Sequence, residues 1–194
     1  LALYGPRAAR LHEELLAVTA RWIDPKIRDS ALTPYARDTE TRTLDLLYDS
    51  LLRNPVQPIS DVVQLQLRQG ASRDVAELLP HLESRGEALA AAAMDRLAAR
   101  ADSESKAMRQ ILENQQRHIE RTVEKYAGPS AQRMLPGMED ELRQLRDNQR
   151  YWQERLASLE HELEEEPQRI ADIYQVQAKR LEPVGLVYLW PVSG

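Results

Sequence analysis

The sequence predicts a mainly α protein that contains a long antiparallel coiled-coil hairpin and a short C-terminal β-strand. Three features predict this fold: two stretches with apolar residues at steps of three and four, a turn rich in Pro and Gly between them, and one β-branched and aromatic run near the end. The chain has 194 residues, of which 29% are charged, and it contains no Phe. This composition favours an elongated helical protein over one with a large compact core.

The two apolar stretches are spaced as in a heptad repeat. The upstream seam consists of Leu97, Ala101, Glu104, Met108, Leu112, Gln115, Ile119, Thr122 and Tyr126, and the downstream seam of Met138, Leu142, Leu145, Gln149, Trp152, Leu156, Leu159 and Leu163. A spacing of about 3.5 residues holds one stripe of a helix against a partner helix. Symmetric pairing about a turn near 127–137 places Leu112 opposite Trp152 and Gln115 opposite Gln149.

Shorter helices are predicted before the hairpin. Apolar spacing and capping residues indicate helices over 8–22 and 39–53, and a short helix from Ser60 through Leu67 that Gly70 closes as a left-handed C-cap.

The long helix that opens at Ser72 is expected to run to Tyr126. Pro80 either bends this helix or marks its start, and we expect a bend. The return helix over 138–166 ends at Pro167, and a further helix over 168–180 precedes a strand over 184–190 that is buried on both faces.

We predict three parts: a short-helix bundle at 1–70, the hairpin at 71–166, and a helix followed by a strand at 167–194 that belongs to a truncated domain. The chain opens without Met and ends just after an apolar run. We therefore expect it to be an excised part of a longer protein.

The sequence carries no recognisable catalytic motif. It has no Gly-x-x-x-x-Gly-Lys-Ser/Thr phosphate loop and no Cys, and its four histidines, His12, His81, His118 and His161, are isolated from metal-ligand spacings. The acidic run over 160–166 is interpreted as a solvated helix face. We therefore predict no catalytic site, metal site or cofactor in this chain.

Charge and hydropathy narrow the range of partners and compartments. The net charge of −5 argues against a uniformly basic surface for nucleic acid. No apolar run approaches the roughly 20 residues that a membrane helix needs. With no Cys, the sequence favours a soluble cytoplasmic protein that has no membrane partner.

Arginines on the two hairpin helices are candidates for DNA contact. They are Arg109, Arg117, Arg121, Arg143, Arg146 and Arg150. If both groups faced the same way, the arm could lie along a phosphate backbone. The favoured interpretation is salt-bridge decoration, because acidic residues are interleaved with them at helical pairing distances. For Trp190 with Tyr188, a structural role is favoured over base stacking.

Two segments resemble a known family. They are RIADIYQVQAKRLEPVGLVYLWP at 169–191 and VAELLPHL at 75–82, and they resemble the C-terminal region of bacterial Swi/Snf-type helicases, among them the DISARM phage-defence helicases. The resemblance implies that the chain lies downstream of two ATPase lobes in an ATP-driven DNA translocase with a role in antiviral defence. None of the family's ATP-binding or Asp-Glu motor residues has a counterpart here.

The leading hypothesis is a non-catalytic accessory domain of such a helicase. Its hairpin arm would position DNA, a partner protein or the motor lobes of the parent. The alternative is a stand-alone coiled-coil scaffold or protein-interaction module.

Overall fold

The computed structural model describes residues 1–22, 31–52, 59–127 and 139–190. Within these ranges the elements are, in chain order, β1 (Ala2–Tyr4), a 3-10 turn (Pro6–Ala8), β2 (Arg10–Glu13), α1 (Arg37–Leu52), α2 (Asp61–Ala127), α3 (Glu139–Ile173) and β3 (Ala178–Arg180). The strands form a small antiparallel sheet in the order β2-β1-β3. The predicted fold class is confirmed, and α1 confirms the helix predicted over 39–53 within the described residues.

The helix predicted over 8–22 is wrong, because this segment begins with strand β2. A tight turn reverses the chain after β1, where the Gly5 N–H donates to the Ala9 carbonyl at 2.8 Å. Within the turn Arg7 has φ 56° and Ala8 has φ 58°. Each left-handed residue costs roughly 1–2 kcal/mol, so pairing of β2 with β1 must offset this strain. Strand pairing outweighs an apolar spacing that covers only a few helical turns.

Helix α2 is longer than the sequence predicted. Ser60 does precede a helix, as expected, but α2 passes through Gly70 and Ser72 without a break. The predicted C-cap at Gly70 and the new start at Ser72 are therefore wrong. The buried residues Leu67 and Asp74 lie seven positions apart, so the helix keeps one face on a core across this region. An interior Gly costs only about 1 kcal/mol, which that burial outweighs.

Two prolines lie inside helices. Pro80 lies within α2, and Pro167 lies within α3, which continues to Ile173. The predicted helix end at Pro167 and the separate helix over 168–180 are therefore wrong. An interior Pro costs about 3 kcal/mol. At Pro167 tertiary contact offsets this cost, because this buried residue accepts a hydrogen bond from Ser105 Oγ to its carbonyl at 2.8 Å.

The C-terminal strand lies earlier in the chain than predicted. It is β3, and the described residues 184–190 form no strand. Val184 is 82% exposed and Val187 is 64% exposed, so this segment is not buried on both faces. The half-buried positions are Leu186, Tyr188 and Trp190, which alternate with exposed ones. Such alternation is typical of an extended segment with one face against the protein.

Contacts divide the chain into two compact units. The first comprises Leu1–Leu3, His12–Ala93 and Ala178–Gly194, and the second comprises Tyr4–Leu11 and Met94–Gln177. The predicted three-part division at 1–70, 71–166 and 167–194 concerns independent domains, and it stays a prediction.

In the first unit, polar contacts hold the irregular segments against α2. The Leu32 N–H donates to Glu77 Oε2 at 2.8 Å, and Arg85 Nη1 donates to Glu40 Oε1 of α1 at 2.6 Å. A Cβ on Gly86 would come within 2.6 Å of Leu181 Cδ2, so the chain after β3 approaches α2 closely at this position. A larger residue at position 86 would require the Leu181 side chain to shift.

The C-terminal segment of the first unit is fastened through Tyr188. Its hydroxyl donates to Oδ2 of the buried Asp74 at 2.7 Å, and its ring lies 5.4 Å from the Trp22 ring. A buried carboxylate needs hydrogen-bond donors, and the Tyr188 hydroxyl supplies one. Tyr188 therefore has a structural role, which is the role that the sequence favoured over base stacking.

Candidate nucleic-acid interface

The second unit contains the hairpin, which is formed by α3 and by the part of α2 from Met94 onward. The two helices are antiparallel, but their register differs from the symmetric one that the sequence predicted. Gln115 accepts a hydrogen bond from Arg155 Nη2 at 3.5 Å, where Gln149 had been expected. Trp152 lines a groove together with Ile119. The predicted pairing of Gln115 with Gln149 is therefore wrong.

The observed register is displaced from the predicted one by one heptad. Trp152 had been expected opposite Leu112, which lies seven residues before Ile119. In the observed register Leu112 lies at the level of Leu159, and both are buried. Over Leu112 to Tyr126 and along the downstream seam, a slip of seven residues moves each seam position onto another one, so apolar spacing there cannot distinguish the two registers. The predicted turn near 127–137 lies, apart from Ala127, outside the described residues.

Three side chains meet where the chain leaves α3: Arg100 and Glu104 of α2, and Tyr174, which directly follows α3. Tyr174 donates its hydroxyl to Glu104 Oε2 at 2.7 Å, and Arg100 Nε donates to Glu104 Oε1 at 2.8 Å. The Arg100 guanidinium also lies 5.5 Å from the centre of the Tyr174 ring. The hydrogen bonds from Arg100 and then Tyr174 lower the pKa of Glu104, and the bond to Glu104 raises the pKa of Tyr174. Glu104 is thus a charged acceptor at neutral pH.

Arg155 is held in one orientation on α3. Its guanidinium binds Glu162 through two hydrogen bonds, at 2.5 Å from Nη1 to Oε1 and 3.1 Å from Nη2 to Oε2. Ser158 Oγ donates to the same carboxylate at 2.7 Å. The hydrogen bonds from Arg155 and then Ser158 lower the pKa of Glu162. A two-point contact of this kind fixes the plane of the guanidinium.

All six arginines that the sequence singled out are exposed. Arg117 Nη2 donates to Asn114 Oδ1 at 2.6 Å, and Arg150 Nε lies 3.6 Å from Glu154 Oε1. No hydrogen bond or ion pair to another described residue is formed by the remaining four, Arg109, Arg121, Arg143 and Arg146. Salt-bridge decoration therefore accounts for Arg150 and leaves these four cations uncommitted within the described chain.

None of the six arginines lines the groove between the two helices. Helical spacing places Arg121 about 60° from His118 and Arg150 about 100° from Tyr151, and these two partners do line the groove. The arginines of both helices therefore lie outside the groove.

This groove runs between α2 and α3. It has a volume of about 320 Å³ and is lined by Gln115, His118, Ile119, Tyr151, Trp152 and Arg155, which we call the hairpin groove. Tyr151 is 63% exposed, whereas Trp152 and Ile119 are half-buried. Two aromatic rings, a guanidinium, an imidazole and an amide thus meet at one place, a combination suited to a planar polar ligand.

The described residues contain no group of three or more His, Cys, Asp or Glu side chains that could hold a metal ion. Among them, no helix is both long and apolar enough to cross a membrane. The absence of a cofactor and the cytoplasmic location stay predictions.

Comparison with protein-family models, with curated proteins and with solved structures finds no match for this chain. The resemblance to Swi/Snf-type helicases therefore stays a prediction.

Sequence reasoning did not identify the hairpin groove. His118 and Tyr151 each lie directly beside a seam residue, Ile119 and Trp152, and this adjacency was the available signal. In the symmetric register, however, Trp152 would have lain opposite Leu112, a full heptad away from His118. The groove could be found only with the correct register.

Proposed function

We propose that this chain is a non-catalytic accessory domain whose hairpin arm positions nucleic acid. Its parent would be an ATP-dependent Swi/Snf-type DNA helicase or translocase that acts in antiviral defence in the cytoplasm, with ATP hydrolysis performed by motor lobes elsewhere. The family assignment rests on the resemblance at 169–191 and 75–82. The nucleic-acid role rests on one observation, the four exposed arginines that have no partner within the described chain.

The arginines favour a role in binding over a role in folding. The hairpin is already held together by its buried seam and by the hydrogen bonds of Glu104, Ser105 and Arg155. Exposed ion pairs contribute little to stability, about 0–1 kcal/mol each, and unpaired exposed cations contribute still less. Exposed arginines can neutralise the phosphate groups of a nucleic acid, and this releases counterions.

Duplex DNA binding tests this proposal. We expect Arg121→Ala and Arg146→Ala each to weaken binding of a fluorescein-labelled duplex and to reduce the slope of log K against log salt by about 1. The matched control is Arg42→Ala, which removes an exposed arginine from α1 in the first unit. Absent or salt-insensitive binding, or an equal effect of the control, would contradict a nucleic-acid role for the arm.

The alternative function, a protein-interaction module or coiled-coil scaffold, is favoured by a different observation. Large apolar side chains are exposed in the first unit, including Leu51 (70%) and Leu52 (84%) at the end of α1, and Val62 (67%) and Leu65 (58%) at the start of α2. Exposed apolar clusters commonly mark protein contacts. A scaffold that pairs between chains predicts a concentration-dependent dimer in light scattering, whereas a monomer at all concentrations would exclude it.

A further inference from the structure

We propose that the hairpin groove binds an unpaired base of a single-stranded nucleic acid, with Tyr151 as the stacking surface. This inference rests on the proposed function, because it assigns the nucleic acid to one side of the arm. It goes beyond that function by naming the ligand as a single strand and the contact as a base.

The position of Tyr151 is the first argument. Its ring is 63% exposed, so burial in the seam does not explain it. Beside it, the half-buried Trp152 and Ile119 form an apolar floor. The volume of about 320 Å³ lies at the small end of ligand sites, which suits one planar ring. Stacking of a base on an exposed aromatic ring requires this arrangement.

The polar rim of the groove is the second argument. Gln115 and His118 line it on α2 and offer donors and acceptors to a base edge. Across from them, Glu162 holds the Arg155 guanidinium in a fixed plane, and Arg155 in turn donates to Gln115. The pairing with Glu162 neutralises Arg155, so its role is to orient and stack a ligand.

A cation beside the groove is the third argument. Arg121 lies one turn beyond His118 on α2, at a helical angle of about 60° from it, where it could neutralise the phosphate next to a bound base. The acidic residues of this part of α2 fall at helical angles of about 120° or more from His118. They are Glu113, Glu120 and Glu124. On α3, Asp147 and Glu154 lie one turn before and one turn after Tyr151, so Arg121 supplies positive charge on the α2 side of the groove only.

A single strand fits this site better than a duplex. In a duplex each base is stacked between its neighbours and paired at its edge, so its face is unavailable to Tyr151. An unpaired base exposes both faces, and stacking on an aromatic side chain tolerates any base. We therefore expect binding without strong sequence preference.

The test compares single-stranded and duplex DNA by fluorescence anisotropy. The probes are a labelled oligothymidylate of about 12 nucleotides and a blunt duplex of the same length. Tyr151→Ala should weaken single-strand binding by about 5- to 150-fold, the loss that removal of one stacking ring produces. Tyr151→Phe should bind normally because it keeps the ring. Tyr48→Ala, which removes a tyrosine that is 65% exposed on α1, is the matched control.

The outcomes separate this inference from the proposed function. If Tyr151→Ala binds the single strand as well as Tyr48→Ala does, while Arg121→Ala weakens duplex binding, the groove proposal is wrong and the arm proposal stands. An equal loss of single-strand and duplex binding in Tyr151→Ala would also overturn base stacking. Failure of the native protein to bind either probe at low salt would remove both proposals. Far-UV circular dichroism of each variant verifies that the helices are intact.

Discussion

Paired substitutions in the hairpin seam test the register of α2 against α3. Leu112 is 5% exposed and Leu159 is fully buried, and the observed register places them at the same level. Truncation of a buried Leu to Ala costs the transfer free energy of the lost carbon atoms and a further term for the cavity, about 2–5 kcal/mol in total. We expect Leu112→Ala and Leu159→Ala each to lower the free energy of unfolding by such an amount, with the larger effect at Leu159.

The double variant Leu112→Ala/Leu159→Ala tests the register. If the two leucines share one packing layer, their effects are not additive, and we expect a coupling free energy of about 0.5–3 kcal/mol. Trp152 provides the contrast, because the symmetric register would place it opposite Leu112. In the observed register Trp152 lies seven residues from that level, or roughly 10 Å along the helix axis. The effects of Leu112→Ala and Trp152→Ala should therefore add to within about 0.5 kcal/mol.

Urea denaturation followed by far-UV circular dichroism measures each free energy of unfolding. The control is Ile111→Ala, which removes an apolar side chain that is 51% exposed beside Leu112 and should change stability by about 0.5 kcal/mol or less. Coupling between Leu112 and Trp152, together with additivity between Leu112 and Leu159, would refute the observed register and restore the symmetric one.

Two further predictions concern polar contacts, one in each unit. Tyr188→Phe removes the hydroxyl that donates to the buried Asp74 carboxylate. It should lower the free energy of unfolding by about 1–3 kcal/mol in the same urea assay. The control Tyr48→Phe, at an exposed site, should have almost no effect. If the two variants were equally stable, the Tyr188 contact would contribute nothing. In the second unit the hydrogen bond from Arg100 lowers the pKa of Glu104 in the folded state. The ionised carboxylate therefore stabilises the fold at pH values above the pKa of Glu104 in the unfolded chain, about 4.3. This stabilisation is lost as the pH falls through the pKa of Glu104 in the folded protein. Glu104→Gln should therefore be less stable than the native protein at neutral pH. Between about pH 5 and pH 3, its free energy of unfolding in urea titrations should fall less than that of the native protein. If both proteins lost the same stability over this pH range, the Glu104 carboxylate would not stabilise the fold.

The sequence predicted the helices well where apolar spacing persisted over many turns. The seams placed the end of α2 within one residue of Ala127 and the start of α3 within one residue of Glu139. Long periodic patterns are reliable because every turn repeats the same burial requirement. Local signals were less reliable. Gly70 and Pro167 each indicated a helix boundary, yet each lies inside a helix, because burial on both sides of a weak position exceeds its local cost.

The strands show why short elements escape sequence reasoning. The run over 184–190 has strong β-forming residues but no partner strand, whereas Ala178–Arg180 has none of that character and pairs with β1. A strand is defined by hydrogen bonds to a neighbour, and the neighbour here lies at the opposite end of the chain.

The residues of the candidate site were likewise predictable from the sequence, but their arrangement in space was not. The sequence identified exposed arginines on both hairpin helices, and the structure confirms that all six are exposed. Whether they share one surface depends on the rotation and register of two helices. The structure brings His118 and Tyr151 to the same groove, and none of the six arginines lines it.

By itself, therefore, the sequence determined the mainly helical class, the two seams and their antiparallel pairing, because these follow from periodicities that each helix carries alone. Only the tertiary structure decided the register, the interior prolines, the strand pairing and the hairpin groove. A heptad pattern is unchanged by a slip of seven residues, so the choice between registers is made by particular contacts such as those of Ser105 with Pro167 and Gln115 with Arg155.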